Sequence, residues 1–418
     1  MRVLEKLEPK VVWNYFEDIC QVPRPSKKEE KIIDFLLDFG KKNNLETKRD
    51  EIGNVLIKKP ATPGKENLKT VVLQSHIDMV CEKNEGTQHD FDKDPIKPYI
   101  DNNWVKAKGT TLGADDGIGI AAQMAVLTSK DLEHGPIECL FTVDEETGLT
   151  GAFALQPGFF DGKILINLDS EDEGELFIGC AGGVDTLANF DFDKENIPEN
   201  HVAVKLSVTG LNGGHSGDEI DKGLGNSIKI MNRFLWNAFD HFDIRLGNFD
   251  GGKARNAIPR EAFAHITVHK EDKAELVELF NEYAPKVKSE FSITEPKLEL
   301  AIEDADLPDF VIDEDTQFAL LNALYACPHG VYAMSREIIG LVETSTNLAS
   351  IKFLEDNKIF ITTSQRSSVD TAKFDIASKV ESVFRLAGAK VEHSDGYPGW
   401  RPNTNSEIMK ITEKSYEK

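Results

Sequence analysis

Four segments of the chain end in side chains able to bind a hard or borderline cation: TVVLQSHID at His76 and Asp78, GTTLGADDGIGIAA at Asp115 and Asp116, IECLFTVDEE at Glu145 and Glu146, and ILINLDSED at Asp169. Taken singly, each is no more than a polar loop start after an apolar run, because loops are polar by default. Together they supply an imidazole and a set of carboxylates, a donor set that suits zinc and also accepts manganese or cobalt. His76 can coordinate through one ring nitrogen and give its other N–H to Asp78, two residues on along the same strand face. A carboxylate can bridge two cations ~3.5–4 Å apart, as in two-metal hydrolases, and Asp115 is the candidate bridge. Glu145 and Glu146 are consecutive, so on an extended chain their side chains leave on opposite sides. One is expected to bind metal while the other stays free to take a proton from water.

Ligands of parallel α/β sheets gather at the carboxyl ends of the strands, which is where these residues fall. Strands are expected at Asn54–Ile57, Thr70–Gln74, Ile137–Val143 and Lys163–Asn167, each short and rich in Val, Ile, Leu and Phe. Helical spacing appears in Val11–Ile19, in Ile32–Phe39 and in Gly117–Leu127. Ser26 with Glu29 has the form of a capping box before the second of these, and Gly40 is expected to stop it. The fold class is therefore α/β: a mostly parallel-sheet catalytic domain sandwiched by helices.

After about Gly183 the pattern changes. Val202–Val208 and Ala262–Val268 alternate as half-buried strands, and Asn226–Phe239 and Lys273–Lys288 read as helices. A similar succession follows, with strands near Ser335–Val342 and Lys358–Ser364, a helix over Ala372–Ala387, and Glu303–Asp315 as a connecting loop. The expected organisation is a first part of the catalytic domain over 1–185, an inserted α+β lid domain of two lobes over 186–396, and a return to the catalytic domain over 397–418 that looks truncated.

Other chemistries fit less well. A Gly-rich turn before a helix often holds phosphate, but GADDGIGIAA carries two carboxylates, no Lys, and neither nucleotide-binding spacing. No G-x-S-x-G supports a serine nucleophile. Over 418 residues, Asp plus Glu number 72 against 48 Lys plus Arg, a formal charge of −24 that repels phosphate backbones and anionic lipid, so neither nucleic acid nor membrane is an expected partner. Five scattered cysteines form no C-x-x-C pair, and the first residues lack the basic and apolar regions of a signal peptide. A cytoplasmic location is expected.

The segments SHIDMV, GTTLGADDGIGIA, TVDEETGLTGA and NLDSEDEGELFIGCAGG resemble, in order and spacing, the co-catalytic dimetal peptidases related to carboxypeptidase G, tripeptidase and carnosinase. GCAGG, SREIIGLVETSTNLASIK and the run at 363–370 around Arg366 are most similar to the Xaa-His (aminoacyl-histidine) dipeptidase branch, and the likeness extends to GYPGWRPN and beyond. The resemblance implies two divalent ions, zinc first, with His76 and Asp169 on one, Asp115 bridging, Glu146 on the other, Glu145 as general base and Asp78 orienting His76. It also implies a cis Asp115–Asp116 peptide. In the lid, GGHSGDEI would place His215 on the oxyanion, ARNAIPRE would place Asn256 near the substrate, and Arg366 would hold the substrate's free carboxylate.

Members of that branch continue past the counterpart of NSEIMKITEKSYEK to a His-Ala-Gly-Leu-Glu type segment bearing the last histidine ligand, whereas the sequence in hand ends at Lys418. The expected activity is metal-dependent hydrolysis of dipeptides, Xaa-His or broad in specificity. The alternatives are another amide hydrolase of this fold, an aminoacylase or tripeptidase, and a non-catalytic binding protein lacking the last ligand. A homodimer through an exposed strand edge is expected, with a monomer as the alternative if the second lobe takes the place of a partner's lid.

Overall fold

Val55, Leu56 and Ile57 are all fully buried, as are Cys139 and Phe141, so these short apolar runs form the middle of a sheet rather than its rim. The computed structural model describes residues 2–170 and 173–417 and divides into two units, Met1–Glu175 and Leu176–Lys418. The first unit contains helices α1 (Lys10–Ile19) and α2 (Glu30–Lys42), strands β1 (Glu46–Arg49), β2 (Val55–Lys59) and β3 (Val71–His76), and a hairpin of β4 (Pro98–Asp101) and β5 (Trp104–Ala107). It continues with α3 (Ala114–Thr128), β6 (Ile137–Thr142), α4 (Glu145–Gly148), α5 (Thr150–Ala154) and β7 (Ile164–Asn167). The sheet order is β1-β2-β6-β3-β7.

The expected parallel arrangement is the β6-β3-β7 part; β2 pairs antiparallel with β6, and β1, joined to β2 by a short turn, pairs antiparallel with β2. The three long helices share one core with a single face of the sheet, where Phe16, Ile32, Leu36, Ile120 and Met124 meet Val55, Ile57 and Phe141. The opposite face carries a smaller cluster of Leu56, Val72 and Leu140, covered by Leu155, Phe159 and Phe160. The three long helices thus lie on one side of the sheet, while the chain that follows α5 covers the other. Gly40 does not end α2, which runs on to Lys42; its missing Cβ makes room for Thr47, whose Oγ1 would otherwise sit 2.0 Å away.

The second unit is built on one nine-stranded sheet carrying two copies of the same topology. In one lobe the strands His201–Thr209, Arg245–Gly251, Ala262–His269 and Glu299–Ala305 alternate with helices Ser227–His241 and Lys273–Glu290 in a β-α-β-β-α-β order. In the other, Gly182–Asp191, Val342–Leu354, Lys358–Ser367 and Lys390–His393 alternate with Glu314–Ala326 and Asp370–Leu386 in the same order. Both place the last strand beside the first and the third between the first and second. The lobes join where Gly251 pairs with Ile351, and a single apolar core runs beneath both.

Several boundaries differ from the sequence reading. Residues 335–341 form a turn between the strands Gly330–Met334 and Val342–Leu354, and the acidic run from Glu303 begins as the end of a strand. Gly182–Asp185, assigned above to the first domain, start a strand of the second unit's sheet. Residues 397–417 were expected to return to the first domain but group with the second unit, where Tyr397 and Trp400 bridge to Gly183 and Cys180.

Candidate metal centre

The carboxyl end of β3 delivers His76 with its ring fully enclosed, 1% exposed, and with both nitrogens engaged. Nδ1 lies 3.2 Å from Asp78 Oδ1, and Nε2 lies 2.8 Å from Asp115 Oδ1 and 3.9 Å from Asp169 Oδ2. Asp115 stands at the start of α3, where Asp115 and Asp116 depart from helical geometry and are joined by a cis peptide. His76 at the end of β3, Asp115 at the start of α3 and Glu146 in α4 each present a ligand atom within 4.8 Å of the others. Among the described residues this group contains one histidine.

Glu145 and Glu146 do not continue an extended strand. Asp144 takes a left-handed conformation (φ 50°) and turns the chain into α4, whose first two N–H groups donate to Asp78 Oδ1 and Oδ2 at 3.0 and 3.2 Å. The side chains still diverge, because successive helical residues point about 100° apart. Glu146 Oε1 accepts from the Val80 N–H at 3.3 Å.

Electrostatics mark the cluster as a place for cations. Burial disfavours a charged His76, yet its hydrogen bonds to Asp78 and Asp115 and the charge of Asp169 outweigh that and raise it to about 9. Burial likewise opposes ionisation of Asp78, but donation from His76, the Glu145 N–H and Ser26 holds it at about 2. Desolvation and neighbouring carboxylates push Asp116 up to about 7, and the same two causes raise Glu145 and Glu146. One imidazolium facing this many acids leaves net negative charge in a partly desolvated space, and the N/O donors present fit divalent zinc, manganese or cobalt.

The residues that brace this arrangement, Arg24, Ser26 and Glu29, belong to none of the four segments that carry its donors. Ser26 does not cap α2; its hydroxyl donates to Asp78 Oδ2 at 2.8 Å, and Glu29 instead accepts from the Lys27 and Asp144 N–H groups. Arg24, 3% exposed, donates to the carbonyls of Ile77, Asp78 and Gly113, so one buried guanidinium ties the His76 loop to the Asp115 loop. A Cβ at Gly113 or Gly117 would lie 2.6 or 2.7 Å from Arg24 Nη2, which is why that turn is glycine-rich. A second acidic group, Glu29, Asp78 and Asp144, is wholly buried, but its oxygens accept from backbone N–H groups and from Ser26, Thr147 and Thr150. It supports the centre from behind.

Within the second unit the three lid candidates also come together. His215 pairs with Ala257 in a short ladder, the Ser216 N–H donates to Asn256 O at 2.9 Å, and a Cβ on Gly217 would lie 3.2 Å from His215 Cε1 and 3.3 Å from Arg366 Nη1. His215 Nδ1 is 2.8 Å from Asp218 Oδ2.

The chain is similar to known peptidases. The M20 peptidase dimerisation domain model matches residues 199–295. The cytosol non-specific dipeptidase of Escherichia coli (strain K12) is 44% identical over 418 residues, covering 100% of this chain and 86% of that protein. A crystal structure of aminoacylhistidine dipeptidase from Vibrio alginolyticus aligns at TM-score 0.95 and 47% identity, over 99% of this chain and 84% of the other. A peptidase T from Clostridium novyi (strain NT) is 32% identical over 142 residues, 33% of this chain and 30% of that protein.

Proposed function

The chain belongs to the M20 peptidase family and is a hydrolase of peptide bonds, and on that premise we propose that it cleaves dipeptides, Xaa-His dipeptides among them, at a centre for two divalent cations, zinc first. The observation that carries this reading is the convergence of His76, Asp115 and Glu146 with Asp169 3.9 Å from the same ring nitrogen. His76 and Asp169 would hold one ion, Asp115 would bridge, and Glu146 would hold the other. Cations bound there supply Lewis-acid polarisation of the scissile carbonyl and a water acidic enough to react near neutrality.

The chain's own residues do the rest. Asp78, anchored by Ser26 and two N–H groups of α4, fixes the ring orientation of His76. Glu145, whose basicity is raised by burial and by Asp169, takes the proton from the attacking water and returns it to the leaving amine. His215 donates to the oxyanion of the tetrahedral intermediate, Asn256 lines the substrate, and Arg366 pairs with the dipeptide's free carboxylate and so measures its length. The protein is read as a cytosolic homodimer: the matched dimerisation domain and the name of the Escherichia coli relative support this, and no helix of the described residues is long and apolar enough to cross a membrane.

The test is release of free histidine from an Xaa-His dipeptide by zinc-loaded protein, with Glu145→Gln alongside. Wild type should turn over, and the variant should lose about a thousandfold in kcat with its metal content unchanged. Full activity in Glu145→Gln would remove the base. Turnover of N-acyl amino acids or tripeptides in place of dipeptides would overturn the substrate class.

A further inference from the structure

We propose that Tyr397 is the positioning residue of Arg366, holding one side of the guanidinium so that the opposite edge faces the substrate's carboxylate. The inference rests on the reading of Arg366 given above and adds a residue that the motifs did not suggest.

Arg366 lies on the strand Lys358–Ser367, opposite Ser345 on one neighbouring strand and Gly183 on the other. Tyr397 is strapped antiparallel to Gly183: its N–H donates to Gly183 O at 2.8 Å, and the Gly183 N–H donates back to Tyr397 O at 3.1 Å. The phenol ring lies across the glycine, where a Cβ would stand 2.7 Å from Cε1 and Cζ and 2.8 Å from the hydroxyl. Only glycine at 183 lets the ring lie flat enough for its hydroxyl to accept from Arg366 Nη1, at 3.2 Å.

The strap is itself pinned. Lys373, 2% exposed, donates to Tyr397 O, and Asp370 Oδ1 accepts from both Lys373 Nζ and the Gly399 N–H. Gly182 is equally constrained, since a Cβ there would lie 2.4 Å from Gly399 N. The GCAGG and GYPGW segments are therefore two halves of one contact, and its product is a fixed hydroxyl beside Nη1.

The other edge of the guanidinium carries an unsatisfied donor. Arg366 Nε is buried and has no hydrogen-bond partner. In the planar fork, Nε–H and the nearer Nη2–H run parallel and form the edge that grips a carboxylate with two bonds, on the side away from Nη1. A buried donor without a partner is costly, so an arginine free to turn would seek other acceptors. Tyr397 occupies Nη1 and keeps that turn from happening.

The experiment compares a free dipeptide with its C-terminal amide on metal-loaded full chain, for wild type, Tyr397→Phe, Arg366→Ala and the double variant. Tyr397→Phe should raise KM for the free dipeptide about tenfold, leave its kcat within about twofold, and leave KM for the amide within about twofold. Arg366→Ala should discriminate between the two substrates more strongly, and on that background Tyr397→Phe should add nothing. If Arg366→Ala discriminates but Tyr397→Phe affects both substrates alike, or adds its full effect to Arg366→Ala, the positioning role is overturned and the reading of Arg366 stands. If Arg366→Ala weakens both substrates equally, Arg366 does not hold the carboxylate, and the role of Tyr397 falls with it.

Discussion

Acids touching both nitrogens of His76 favour its protonated form when no cation is bound, and this has a consequence for stability that can be read without any turnover. Its folded value of about 9 lies above the ordinary 6.5, so the charged ring stabilises the fold fully below pH 6.5 and the benefit is lost as pH rises through 9. Asp78, at about 2 against an ordinary 3.8, contributes above pH 3.8 and loses that contribution as pH falls through 2. The two share one hydrogen bond, so that gain counts once. Thermal unfolding of chelator-treated protein should therefore show a plateau between these limits and a decline on the alkaline side, and His76→Gln should flatten the alkaline limb. The same alkaline decline in both proteins would contradict the pairing. The grouping of His76, Asp115 and Glu146 was legible in the sequence, since imidazole and carboxylates near apolar strands announce themselves by type. Arg24, Ser26 and Tyr397 did not, because a residue acting on another's orientation has no required spacing from it in the sequence.

The elements that present these side chains owe their positions to a few contacts that propensity does not encode. The strands were readable from their apolar runs to within a few residues, but the Ser26–Glu29 spacing was not a cap: Ser26 was drawn away to Asp78, a partner 52 residues distant. Likewise Glu145 and Glu146 begin a helical turn rather than end a strand, because Asp144 reverses the chain and the carboxylate of Asp78 receives the new helix's first N–H groups. Arg24 binds the loops together from beneath, and its removal should be felt at both. Arg24→Met leaves three carbonyls without their donor and is expected to cost about 3 kcal/mol of stability in urea unfolding. It should also weaken zinc about 10- to 100-fold in chelator competition, as loss of ligand-orienting contacts does elsewhere. Unchanged zinc affinity in a destabilised variant would mean that Arg24 serves packing alone.

For the whole molecule, the sequence pattern changes after about Gly183, and the second unit starts at Leu176. The duplication inside that unit left no residue-level trace, and the topology explains why its boundaries were misplaced. The first strand of the second lobe, Gly182–Asp191, precedes the entire first lobe, so one copy is inserted within the other and the repeat is interrupted in sequence while remaining regular in space. The strap from Tyr397 to Trp400 was misassigned for a related reason: its partners, Gly183 and Cys180, lie more than two hundred residues earlier. The acids gathered around His76 call for cations. The most direct test is the number of zinc ions retained per chain after loading and exhaustive dialysis, measured by elemental analysis for wild type and for Asp115→Ala. Two are expected for wild type and at most one for Asp115→Ala; a wild type that retains none, or an Asp115→Ala protein that retains as many as wild type, would refute a two-ion centre bridged by Asp115.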